Sequence, residues 1–435
     1  MRISISLLPL SLLFTLFTQA QSAYFPPIEG DEWENIDPTT LGWCAEKVDA
    51  LETFLEERNT KSFLILKGGR IVMEAYYGEH DADKVWYWAS ASKSLVATLY
   101  GMAQEDGLLD IDDPTSNYLG VGWTSTSPEQ EALITLKSQL SMASGLDDGV
   151  EAPGSTNNCF EPQCFQYLAA PYSRWAYHNS AYRILQDVLE TAAGQTKFNY
   201  TRSRLGDRIG MKGFWLNYVY YSKARDMARF GLLALNRGVW GADTLLHDQN
   251  YFDAMIQSSQ QENPSYGYLW WLNGQASFQL PGVQFKINRE MIPEAPADLF
   301  AALGKNDQKI YVVPSEDLVV VRQGDAAGGV VLTSSSFDVE LWERLGDMSC
   351  TVSATENRQD NIFTISPNPV QDELRIQADS PVESMFLYDL HGRTLLAKHR
   401  TPVSTKLSLA NFPSGTYFLR VKTKNGVEIK RIIKS

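Results

Sequence analysis

Ser90 and Lys93 stand three residues apart in YWASASKSLVATLYG, residues 87–101. On a helix that spacing puts both side chains on one face. A serine hydroxyl is a weak nucleophile and needs a base beside it. A lysine amine can be that base when it is desolvated, and burial among Trp86, Trp88 and the apolar residues that follow would lower its pKa. The helix N-terminus adds partial positive charge and free N–H groups that can hold a developing oxyanion. The plainer reading is structural: Ser90 caps the helix and Lys93 reaches solvent.

Two further stretches bear on that choice. RWAYHNSAYRILQDVLE places Tyr177, His178 and Asn179 just before an apolar periodic run. A tyrosine beside a lysine can carry protons, and an asparagine amide can hold both a lysine and a substrate carbonyl. The alternative is a turn with a buried tyrosine. His178 either lines the pocket or is a solvated loop histidine. In ALGKNDQKIYVVPSEDLVVVR, Lys305 stands at the entry to a strand. The chain has no G-x-S-x-G elbow and no H-E-x-x-H, and its five histidines show no ligand spacing, so no metal or cofactor is expected.

The elements that must position these residues are legible in outline. A helix is expected from about Cys44 to Glu57, then a strand pair turning at Gly68-Gly69. The helix bearing Ser90 and Lys93 follows. ITLKSQLSMASGL reads as a short helix capped by Thr135 and stopped by Gly145. SAYRILQDVLETAAG and SKARDMARFGLLALNRG have helical apolar spacing and end in glycine. KIYVVPSEDLVVVRQG returns to strands around Pro314-Ser315, and SSFDVELWERLGDM is a last helix. Strands at both ends with helices between them indicate an α/β or α+β domain.

The 435 residues exceed one ordinary core, and 44% hydrophobic content with 11 Trp implies a large one. A net charge of −14 argues against nucleic-acid binding, which needs a basic face. Residues 1–20 read as a signal peptide: Arg2, an apolar run to Phe17, then Thr18, Gln19 and Ala20. The run is too short for a stable membrane span. Residues 21–38 form an extension. Export permits disulfides among Cys44, Cys159, Cys164 and Cys350. Spacing alone leaves three pairings open, although Cys159 with Cys164 would close a small ring and leave Cys44 with Cys350. After Cys350, residues 351–360 read as a polar linker. Residues 361–435 show short alternating strands, a small β-sandwich pattern, with 11 Lys and Arg against 6 Asp and Glu.

The ordered set Ser90-x-x-Lys93, Tyr177-x-Asn179 and the stretch at Lys305 resembles the penicillin-binding, class C β-lactamase-like serine hydrolases. LLDIDDP, YGYLWWL and VVPSEDLVVV also look like family segments. The resemblance spans about residues 39–350. It implies an α+β, β-lactamase/transpeptidase-like fold. It implies Ser90 as the acylated nucleophile, Lys93 as acceptor or relay of its proton, and Tyr177 as shuttle to the leaving group and the deacylating water. Asn179 would orient substrate and lysine, and Lys305 would supply positive potential. The N–H groups of Ser90 and Gln308 would form the oxyanion hole. The third motif departs from the family: Lys305-Asn306-Asp307 has Asp where Gly is common. Asp307 would block close approach and repel a substrate carboxylate, or else pair with Lys305 and point away. The first case favours an esterase or amidase with a neutral or cationic substrate over a β-lactamase or D-alanyl-D-alanine carboxypeptidase. A non-catalytic peptidoglycan- or ligand-binding module is the reading of another class. The expected partner at the site is a small-molecule or peptide-like substrate.

ISPNPVQDELRIQA, LYDLHGRTLL and LANFPSGTYFLRV resemble the C-terminal sorting domain of the type IX secretion system. That implies the secretion machinery as a partner and a secreted or cell-surface product. Phe386, Tyr388 and Tyr417 look like core there rather than a sugar platform.

Overall fold

The computed structural model describes residues 23–149, 159–328, 334–350, 362–389 and 393–435. The expected signal peptide and linker lie outside the described residues. The chain divides into two compact units, which meet at Ser349 and Cys350.

The first unit opens with α1 (Ala45–Glu57) and the hairpin β1 (Thr60–Lys67) and β2 (Arg70–Tyr76). Gly68 and Gly69 close that hairpin at φ 55° and 83°, the left-handed pair a tight two-residue turn requires. Next come β3 (Trp86–Tyr87), a 3₁₀ turn at Ala89–Ala91 and α2 (Ser92–Glu105). A helical layer follows: α3 (Ser116–Leu119), α4 (Pro128–Glu131), α5 (Leu136–Leu140), α6 (Asn179–Ala193), α7 (Lys197–Thr201) and α8 (Asp207–Ile209). Thr135 caps α5 as expected, but α5 ends at Leu140, before Gly145. The hairpin β4 (Gly213–Leu216) and β5 (Val219–Ser222) leads to α9 (Ala224–Leu235), a small hairpin β6 (Val239–Trp240) and β7 (Asp243–Thr244), and α10 (Gln249–Met255). The chain returns through β8 (Trp271–Leu272), β9 (Phe300–Gly304), β10 (Gln308–Val313) and β11 (Leu318–Gly324), then closes with α11 (Ser336–Gly346).

These strands build one antiparallel sheet in the order β2-β1-β11-β10-β9-β8. β10 and β11 are buried along their whole length, so helices must cover both faces. On one face Gly231 of α9 lies against Ile310 and Val319. On the other, Trp342 of α11 meets Tyr311 edge-on at 5.5 Å, and Phe337 stacks on Phe54 of α1. α2 is buried on every side from Ser92 to Ala103, which marks it as the central helix of the unit. The architecture is the α+β arrangement expected.

Cys159 and Cys164 are joined by a disulfide. Cys44 and Cys350 are oxidised as well, and no described cysteine is free. The Cys44 N–H donates to Met348 O at 3.0 Å, which brings the start of α1 beside the end of the unit.

The second unit is all β. It runs β12 (Phe363–Ser366), β13 (Glu373–Ala378), β14 (Val382–Tyr388), β15 (Thr394–Thr401), β16 (Ser404–Ser408), β17 (Gly415–Thr423) and β18 (Gly426–Lys434). One sheet is β12-β13-β16 and the other β15-β14-β17-β18. Leu374, Ile376, Met385, Leu387, Leu419 and Val421 share its core. Tyr417 is buried there, but Phe386 and Tyr388 are not core. Met385 and Leu387 occupy the inward positions of β14, so strand alternation turns the two rings to the other face.

Candidate active site

Ser90 lies in the 3₁₀ turn just ahead of α2, not in the helix itself. Ala89 before it holds φ 49°, a left-handed conformation that costs a non-glycine residue about 1–3 kcal/mol. Hydrogen bonds on both sides hold the turn. Trp88 N–H donates to Tyr220 O at 2.9 Å, and Tyr220 N–H donates to Ser92 Oγ at 2.9 Å. Trp88 Nε1 donates to Ser222 Oγ at 2.8 Å. The hairpin β4–β5 therefore grips the residues flanking Ser90.

Lys93 is the second residue of α2 and 4% exposed. Its Nζ lies 3.0 Å from Ser90 Oγ and 3.0 Å from Oδ1 of Asn179, the first residue of α6. Tyr100 ties the two helices together by donating to Leu185 O at 2.6 Å. The amine also sits 4.8 Å above the Tyr177 ring and 4.4 Å above the Tyr182 ring. Among the described residues no carboxylate pairs with it. Burial, helped by the positive charge of Arg183, lowers the Lys93 pKa to about 7. At neutral pH a large share of this lysine is a neutral amine able to accept a proton.

The Tyr177 hydroxyl hydrogen-bonds the Ser90 side chain. Burial pushes its pKa well above the usual phenol range, partly offset by that bond, so Tyr177 stays protonated. Its ring stacks on Trp271 at 6.0 Å and meets Tyr266 edge-on at 6.3 Å. Ser90, Tyr177 and Asn179 are all partly exposed, so the cluster opens to solvent while its lysine does not. His178 is buried, and its Nδ1 has no hydrogen-bond partner among the described residues. Burial lowers its pKa to about 4 against the pull of Asp148 and Asp147, so it is a neutral core histidine rather than a solvated one.

The third stretch differs from expectation. Lys305 is exposed in the turn after β9, and Asn306 and Asp307 hold φ 62° and 58°. That left-handed pair folds Asp307 back under the sheet, where it is 3% exposed. There it pairs with Lys309 at 3.2 Å, accepts from Ser335 Oγ at 2.9 Å and accepts from Ala327 N–H at 3.1 Å. Burial alone would raise its pKa, but Lys309, the Ala327 N–H, Arg322 and Ser335 outweigh it and hold the carboxylate ionised. Asp307 does not face a substrate and does not pair with Lys305. Gln308 opposes Gly304 in the ladder, and its side chain is spent on the sheet, donating to Gly324 O at 2.6 Å.

The sequence reading missed Gly304. β8 pairs only with Phe300 and Ala301, so the far end of β9 is clear of β8 and runs against the Ser90 turn. A Cβ at Gly304 would come within 2.3 Å of Trp88 O and 3.2 Å of Ala89 Cβ. The glycine of close approach is therefore present one residue before Lys305. It stood in plain view in ALGKND, but choosing the motif by its lysine shifted the register.

Comparison with known proteins bears on the family and the fold. The Beta-lactamase family model matches residues 48–323, and the secretion system C-terminal sorting domain model matches residues 364–435. The 6-aminohexanoate-dimer hydrolase of Paenarthrobacter ureafaciens is 22% identical over 332 residues, 66% of this chain and 79% of that protein. A penicillin-binding protein homologue from Caulobacter crescentus superposes with a TM-score of 0.53 at 13% identity, covering 71% of this chain and 99% of its own. A β-lactamase/D-alanine carboxypeptidase from Pseudomonas syringae gives 0.51 at 15% identity, covering 69% and 97%. The fold, the motif-bearing elements and the family match converge, and the chain belongs to the Beta-lactamase family, with a secretion-system sorting domain at its C-terminus.

Proposed function

We propose that the protein is an exported serine hydrolase that cleaves an ester or amide through an acyl-enzyme on Ser90. The observation that carries this reading is a buried amine of pKa about 7, placed 3.0 Å from a partly exposed serine hydroxyl. Neutral Lys93 takes the Ser90 proton as Oγ bonds to the carbonyl carbon. The proton then passes to the departing alcohol or amine, through Lys93 or the Tyr177 hydroxyl, as the carbonyl–heteroatom bond breaks. Water releases the acyl group by the same circuit in reverse. Asn179 fixes Lys93 and has an N–H₂ group to offer the substrate carbonyl. The named relative that hydrolyses an aminohexanoate dimer supports an ester- or amide-cleaving role.

A second reading is a β-lactam or D-alanyl peptide substrate. Buried Asp307 removes the repulsion that counted against a substrate carboxylate. One experiment separates these. A fluorophosphonate should add its mass to wild type and not to Ser90→Ala, and p-nitrophenyl esters should turn over faster than a chromogenic cephalosporin. Faster cephalosporin turnover reverses the order of the two readings. Equal labelling of both proteins, or of neither, removes the acyl-enzyme and leaves a binding module.

A further inference from the structure

In the proposed reaction Lys93 becomes a cation where one is poorly tolerated. As it takes the Ser90 proton, the Oγ–H bond breaks, an Nζ–H bond forms and a full positive charge appears at Nζ. That side chain is buried, and among the described residues no carboxylate pairs with it. The groups that face it come from three elements. Ser90 comes from the 3₁₀ turn, Tyr177 from the segment before α6, and Asn179 and Tyr182 from α6. Arg183 of α6 is the charge that acts on Lys93, and it disfavours the ammonium. Tyr266 stands close to both tyrosines, which add to burial in keeping it protonated. Two polar atoms, Ser90 Oγ and Asn179 Oδ1, lie 3.0 Å from Nζ, and the other neighbours named are rings.

Tyr182 is the nearer ring. Asn179 and Tyr182 are three apart on α6, so both reach Lys93 from one side of that helix. The Tyr182 centroid is 4.4 Å from Nζ, against 4.8 Å for Tyr177. Its hydroxyl is engaged elsewhere, accepting from Nε2 of the fully buried Gln186 at 2.7 Å. Among the described residues no hydrogen bond joins the Tyr182 side chain to Ser90 or Lys93. Burial pushes its phenol pKa well above the usual range, so it carries no proton to or from the site at neutral pH. What Tyr182 offers the amine is therefore a ring face. Such a face attracts a cation within about 6 Å, and more strongly in a desolvated site. An interaction made with the charged amine alone favours the state in which the proton has moved.

We propose that Tyr182 is a positioning residue acting through Lys93: its ring face holds the ammonium that forms as Ser90 attacks. The assignment rests on the acyl-enzyme reading and deepens it. The test follows the rate of fluorophosphonate labelling of the full chain between about pH 5 and pH 9. Tyr182→Phe keeps the ring and should keep the acid limb of wild type. Trifluorophenylalanine at the same position keeps the ring's shape but removes the negative charge of its face. It should move the limb down by about one pH unit, because the neutral amine is then favoured. Its plateau rate should fall about threefold, since a weaker base accepts the proton less well. A ring with one fluorine should fall between. A ring that only fills space would act the other way, since looser packing admits water and water favours the ammonium. A limb that stays or moves up in the trifluoro form overturns the proposal. So does a limb displaced by Tyr182→Phe, which would give the role to the hydroxyl. Labelling absent from wild type, or equal in Ser90→Ala, would instead remove the acyl-enzyme reading, and this role with it.

Discussion

Lys93 is the residue on which both the proposed chemistry and the pH dependence of stability turn. Its folded pKa of about 7 lies below its ordinary value of 10.5. Between those two values the unfolded chain binds a proton that the folded chain does not, so stability climbs with pH across that window and the penalty is full below it. Lys93→Met removes the penalty at the expense of the bonds to Ser90 and Asn179. It should therefore stabilise the protein at pH 7 by about 2–4 kcal/mol, an advantage that fades toward pH 10.5. Denaturant titrations at pH 7 and pH 10 measure this. The same pKa makes kcat/KM of wild type fall as pH drops below about 7, where the amine is protonated. A variant less stable at pH 7, together with a flat acid limb, would show that the lysine is charged and paired. The grouping of Ser90, Lys93, Tyr177 and Asn179 could be read because each lies in or just ahead of the first turn of a helix, where residue spacing maps onto space. The place of Asp307 could not. Two left-handed residues decide where its carboxylate goes; Asn and Asp adopt that conformation more readily than other non-glycine residues, but the pair does not say which partner the carboxylate then meets.

At the scale of elements, the site depends on how closely β9 approaches the Ser90 turn. The approach is closed from below by a buried charge cluster. Lys309 bridges Asp307 and Asp338 at 3.2 and 3.0 Å, and Arg322 donates to Asp307 O at 2.9 Å. These groups pin the turn after β9 to β11 and α11, so the strand end has little room to yield. Gly304→Ala forces a Cβ against the Trp88 carbonyl, and backbone must move on one side or the other. A displacement of about 1 Å at a nucleophile costs about 100-fold in rate. The prediction is therefore a loss of about that size in kcat/KM, with circular dichroism unchanged. Full activity in Gly304→Ala would mean that β9 does not set the position of Ser90. The β1–β2 hairpin, the strands β10 and β11 and the order of the main helices could be read from alternation, apolar period and the Gly68-Gly69 pair, whereas the hairpin β4–β5 that grips the Ser90 turn was not read. The depth of a strand-to-turn contact could not be read, because it is a tertiary distance with no periodic signature.

At the scale of the molecule, the two units carry separate cores. The cluster running from Trp33 to Met348 and the cluster running from Phe363 to Ile432 have no residue in common. The sequence changes charge and strand pattern after Cys350, and the chain divides into its two units between Ser349 and Cys350. The sorting-domain match links the second unit to export to the surface or medium, and none of the candidate-site side chains described above belongs to it. Ser90, Lys93, Tyr177, Asn179 and Gly304 all belong to the first unit, and the contacts described for them are internal to it. A chain ended after Asp360 keeps Cys350 and every residue of the first core. It should melt within about 2 °C of the first transition of the full protein, because no buried contact of that core is lost. Its turnover of p-nitrophenyl esters should match the full chain's. In the producing cell it should accumulate inside rather than outside. A truncated protein that melts well below the full chain would make the sorting domain part of the catalytic unit's stability. One that reaches the medium undiminished would strip the tail of its export role.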